Sequence, residues 1–137
     1  MDAQAARKFM LAGNAIFTAE SKATGTRYTF RVKRKDATIF YVDLLTGPDN
    51  TSDYTALGVL RAGDHPTLWP SKQAGTAPHT AFKYILDRVL FPAPGAKAAS
   101  PSLEIHHAGR CGRCGRLLTV PSSLEIGLGP ECVDKAA

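Results

Sequence analysis

The sequence predicts an α+β fold, an antiparallel β-meander packed by one or two helices, and three observations predict it. Short runs alternate between polar and apolar residues and are separated by turn residues. One later stretch repeats its apolar residues at helical spacing. The links between the first four runs are too short for the crossovers that parallel strands require.

Met1 to Ala12 is rich in helix formers, with Ala5, Phe9 and Ala12 at helical spacing, and Gly13-Asn14 follows as a left-handed stop. Ala15 to Ala19 reads as a first strand, and Lys22-Ala23-Thr24-Gly25 is turn chemistry. From Arg27 to Lys33, Tyr28, Phe30 and Val32 alternate with Arg27, Thr29, Arg31 and Lys33, which predicts a strand with an aromatic inner face and a basic outer one. Thr38 to Leu45 is apolar on both faces, as a central strand should be, and stops at the breakers Thr46-Gly47-Pro48-Asp49-Asn50. Tyr54 to Arg61 is the fourth strand. Ala62 to Ala77 is polar and irregular apart from Leu68 and Trp69, the latter expected as a core anchor. Phe82, Ile85, Leu86, Val89 and Leu90 then mark one face of a helix over 77–90 that should cover the sheet. Thr76 is its expected N-cap, Pro78 is tolerated in its first turn, and Pro92 and Pro94 stop it.

The chain divides into an α+β body over 1–91, a Pro/Ala/Gly/Ser linker over 92–101 that can bury little, and a terminal unit over 102–137. Its 137 residues, 44% apolar and 21% charged, suffice for a core and lack the signature of disorder. No apolar run approaches the ~20 residues of a membrane-spanning helix. Met1 to Met10 has no signal-peptide layout, so a cytoplasmic protein is expected, with no membrane partner. Lys and Arg outnumber Asp and Glu by 17 to 12, a net charge of +5 that favours an anionic partner.

All three cysteines lie beyond residue 110, an odd and clustered set that suits metal ligation better than a disulfide framework. Cys111-Gly112-Arg113-Cys114-Gly115-Arg116 separates two cysteines by two residues, so that a tight turn can aim both sulfurs at one ion while Gly115 takes a positive φ. Cys132, in Gly127-Leu128-Gly129-Pro130-Glu131-Cys132, is the third thiolate and falls in the first turn of an expected helix. For the fourth ligand His107 and His106 compete. If Leu103 and Ile105 face inward, His107 shares their side and His106 faces solvent, which selects His107. The result is a small, treble-clef-like Cys3His zinc finger. A unit below the ~40 residues that fold unaided needs such a staple, and Zn2+ can supply ~10 kcal/mol or more. With four protein ligands, no position is open for a catalytic water. The competing reading, a redox pair or merely buried thiols, lacks the βαβ scaffold such pairs sit on.

At these residues the sequence resembles an uncharacterised family of small zinc-binding proteins and accessory domains common in phage and mobile-element genomes. The resemblance runs from His107-Ala108-Gly109-Arg110 through Cys111 to Thr119, and on through Pro121, Ser123, Gly127, Gly129, Pro130 and Cys132. Leu11 to Thr18, Gly25, Arg27-Tyr28-Thr29-Phe30 and Leu45 to Asn50 look like the β-rich module that often precedes this finger. The family usually has a polar residue where Leu117 stands and an acidic one where Val120 stands. The resemblance implies zinc and a phage-like setting, and brings no activity with it.

Three functions compete. Nucleic-acid binding is favoured by Arg27, Arg31 and Lys33 on one strand face, extended by Arg34 and Lys35, together with Arg110, Arg113 and Arg116 around the cysteines, with Tyr28 or Tyr41 as stacking groups. The same charges also serve solubility and edge protection. A protein–protein module, such as an anti-CRISPR-like inhibitor of a host defence complex that itself binds nucleic acid, is the alternative, with Asp49, Asp53 and Asp64 as phosphate mimics. An enzyme is the weakest: His65, His79, Asp64 and Ser71 sit in no nucleophile elbow, phosphate loop or metal-carboxylate cluster, and no small-molecule substrate is evident.

Overall fold

The computed structural model describes residues 3–48, 52–63, 66–69, 72–92, 95, 100–115, 118 and 126–129. Its elements are α1 (Ala3–Met10), β1 (Asn14–Ser21), β2 (Arg27–Arg34), β3 (Ile39–Leu45), β4 (Tyr54–Arg61), β5 (Thr67–Trp69), α2 (Ala77–Ile85) continued by a π turn (Leu86–Leu90), and β6 (Leu103–His107). The strands form one antiparallel sheet in the order β5-β4-β3-β2-β1-β6. The meander is therefore as expected, and the return of the chain to the free edge of β1 makes β6 its sixth strand. Leu103–His107, on the far side of the 92–101 segment, thus belongs to the same sheet as the body.

One face of the sheet is apolar. Phe17 of β1, Phe30 and Val32 of β2, Phe40 and Val42 of β3, and Leu57 and Leu60 of β4 are buried there under Phe82, Ile85, Leu86 and Leu90. The rings of Phe17, Phe30 and Phe82 meet at centroid distances of 5.4–6.4 Å, tilted and edge-on as their quadrupoles favour. Helix α1 adds Phe9 and Met10 to this core, and the Arg7 side chain donates to the Leu90 carbonyl, tying α1 to the π turn.

Leu57 and Leu60 differ by three residues, so simple alternation would send them to opposite faces. A bulge reconciles them: the register shifts between Val42 and Asp43, where Val42 faces Gly58 and Asp43 faces Ala56. Leu57 is the extra residue, and past it Ala56 and Tyr54 pair with Asp43 and Leu45 on the outer face.

Three expectations are corrected. Thr76 occupies the N-cap position, but its hydroxyl makes no cap bond and donates instead to the Gln73 carbonyl at 2.7 Å, closing the preceding turn. The 62–77 stretch contains a strand, β5, whose three residues are too few to show periodicity. Trp69 on that edge strand is 41% exposed rather than anchored in the core. Asp49, Asp64, His65 and Ser71 lie outside the described residues. Among the described residues, no helix is long and apolar enough to cross a membrane.

Candidate metal centre and basic cleft

The segment after β6 turns back over the end of the sheet. Gly109, at φ 76°, starts the turn, Ala108 donates its N–H to Ile16 at 3.0 Å, and Gly112 accepts the N–H of Asn14 at 2.7 Å. Cys111-Gly112-Arg113-Cys114-Gly115 closes with the Gly115 N–H on the Cys111 carbonyl at 2.9 Å, and Gly115 has the positive φ of 78° that the turn demands. The chain near residue 127 lies alongside, with the Gly112 N–H donated to the Gly127 carbonyl at 2.8 Å.

Two glycines here are required by close approach. A Cβ on Gly112 would stand 2.5 Å from Cδ2 of Phe9, and one on Gly127 would stand 2.7 Å from the same atom. Phe9 is thus wedged between the cysteine turn and the Gly127 segment, with the His107 ring 5.8 Å away.

Cys111 is fully buried with Ala12, Leu118 and Leu128 in a second small core. Its sulfur accepts the N–H groups of Arg113 and Gly129, each at 3.4 Å. Burial pushes the thiol up, but the N–H groups of Gly129, Cys114 and Arg113, with the Cys114 side chain, outweigh it and bring Cys111 down to about 7. This sulfur is prepared to carry negative charge at neutral pH. Cys114 is exposed at the other end of the turn, and neither cysteine is in a disulfide.

The strand alternation on which the choice of histidine rested is present. His107 pairs with buried Phe17 and shares its face, whereas His106 pairs with Thr18 on the outer face and is exposed. Nδ1 of His107 accepts the Gly109 N–H at 2.9 Å, which occupies one of its two nitrogens. Cys132 and Arg116 lie outside the described residues. Among the described residues, the His, Cys and acidic side chains whose ligand atoms come together in a threesome, within 4.8 Å, are Glu20, Glu104 and His106. There the Lys22 ammonium already stands 2.8 Å from Glu20 and 3.6 Å from Glu104, holding Glu20 below and Lys22 above their ordinary values chiefly through their shared hydrogen bond.

The outer face of the sheet and the cysteine turn enclose a cleft of about 740 Å³. Asn14, Ile16 and Thr18 of β1 form its floor; Lys33, Arg31 and Tyr54 stand on one side, and Arg110 on the other. Thr18 and Thr29 face each other across β1 and β2 with hydroxyls 2.7 Å apart. Arg31 lies over the Tyr54 ring at 4.0 Å and gives Asp43 two hydrogen bonds, of 2.9 and 3.2 Å, so its charge is met. Arg110 donates to the Gly115 carbonyl at 3.2 Å. Neither Lys33 nor Arg110 has a carboxylate partner among the described residues.

The remaining basic residues separate. Arg27 is exposed on the outer face opposite Glu20. Arg34 alternates to the other face, where it donates to the Leu11 carbonyl and lies 5.1 Å over Phe40. Arg113 is exposed on the cysteine turn. Of the expected stacking groups, Tyr28 lies on the inner side beside Phe30, and Tyr41 is exposed under Lys35. Tyr54, which the sequence did not single out, is the aromatic in the cleft. Its hydroxyl is buried without a hydrogen-bond partner among the described residues.

The model of a family described as "Family of unknown function (DUF6011)" matches residues 103–137. No curated protein and no solved structure matches the chain.

Proposed function

We propose that this chain is a non-enzymatic zinc-binding protein whose basic surface binds nucleic acid. Cys111, Cys114 and Cys132 supply three thiolates, and His107 completes the set by exchanging the Gly109 N–H for the metal. The observation that carries the metal half is the setting of Cys111: a buried sulfur that accepts N–H groups from both its own turn and the Gly129 segment, which favours the thiolate form that a cation binds. Zinc, once bound, supplies a cross-link between the cysteine turn and the terminal segment. The chain's own residues do the rest, with Phe9 packing under the turn and the Asn14 and Ala108 amides fixing it to β1.

The nucleic-acid half is supported by the cleft, which the strand face lines with Lys33 and the cysteine turn with Arg110, neither of which has a carboxylate partner among the described residues. Titration of labelled short DNA and RNA at two salt concentrations tests it. Affinity that falls as salt rises is the expected result, because each phosphate neutralised releases counterions. Absence of salt-sensitive binding at low ionic strength overturns the nucleic-acid half and leaves the metal half to its own test.

A further inference from the structure

We infer that the ligand of the cleft is a single strand of nucleic acid rather than a duplex. This rests on the nucleic-acid reading above and narrows it. A duplex hides the faces of its bases and offers phosphates and groove edges, so its partners use protruding helices or ribbons, or cations spread along a convex contact. The cleft has the opposite character. It is recessed, with a volume in the range of small-ligand sites, which suits an unpaired nucleotide better than the broad surface of a duplex.

Its lining also matches what a single strand exposes. Lys33 on β2 and Arg110 beyond β6 flank β1 and provide two separated charges for successive phosphates. The lining is only partly polar: Ile16 lies on the floor between them, and Leu45 and the Tyr54 ring, on the strands beyond Lys33, offer apolar and aromatic surface. Arg31, its charge already met by Asp43, is a planar group held over Tyr54 and serves as a stacking platform more than as a phosphate clamp. The Thr18–Thr29 hydroxyl pair and the Asn14 amide can bond base edges, which a paired base does not present here.

Fluorescence anisotropy on the full chain tests this with labelled oligo(dT), oligo(U) and a hairpin duplex of mixed sequence, using inorganic phosphate and dTMP as competitors. The single strands are expected to bind about tenfold or more tighter than the duplex, as stacking of even one base allows. Lys33→Gln and Arg110→Gln should each weaken the single strands and lower the salt slope by about 0.7. Lys83→Gln, on the helix covering the opposite face, should change nothing. Duplex binding as tight as single-strand binding overturns this inference but leaves the wider reading standing. Inorganic phosphate displacing the oligomer as well as dTMP does at equal concentration overturns it too, by reducing the cleft to an anion site. No binding of any of them overturns both.

Discussion

Cys111 shows how local chemistry decides a residue's role. A buried thiol ordinarily resists ionisation, and here backbone amides reverse that preference to about 7. Replacing it with serine keeps the shape but not the soft anion, so under the proposed zinc binding Cys111→Ser should lose the metal and lower the melting temperature of the protein as purified. Gly112 is as constrained as the cysteines that flank it. Gly112→Ala must displace Phe9 and should cost about 1–3 kcal/mol in urea unfolding, with little change if the turn yields freely. Tyr54 runs the other way: its buried hydroxyl has no partner among the described residues, so Tyr54→Phe should leave stability unchanged or raise it by about 1 kcal/mol. A clear loss of stability would show that the hydroxyl is satisfied. The cysteine turn was legible in the sequence because its spacing is local. Tyr54 was not, because the bulge at Leu57 turns it to the outer face, and a one-residue irregularity leaves no periodic trace.

At the scale of elements, α1 and β6 do more than their lengths promise. Helix α1 carries Phe9 from the main core into the cysteine turn, so Phe9→Ala should cost about 3–5 kcal/mol and loosen the terminal segment along with the helix. Hydrogen exchange that rises at both Gly112 and the α1 amides is the expected signature. Strand β6 covers the edge of β1 through five paired residues. Deleting 102–137 exposes that edge, and the remaining chain should melt lower and self-associate in size-exclusion chromatography, whereas a body that stays monomeric and equally stable would show that the edge needs no cover. The strands and α2 were readable from alternation and helical spacing. Three-residue β5 was not, and Thr76 was misread because its hydroxyl found a nearer carbonyl in the turn before the helix.

Across the whole molecule, the linker composition at 92–101 marked a change in sequence character but not an end to the sheet. β6 follows it and rejoins the body, because strand pairing is set by edges in space that a one-dimensional reading does not contain. The outer face of that sheet then serves two purposes, an acidic end compensated by Lys22 and a basic end roofed by the cysteine turn. Both the second core and the cleft therefore depend on the terminal segment holding its shape. That dependence makes the metal the central claim, and the direct measurement is elemental analysis of the chain purified without added metal. Zinc at about one ion per chain, lost in Cys132→Ser, is the predicted result. A protein that is folded and free of metal, or one whose cysteines are oxidised to a disulfide, would contradict it.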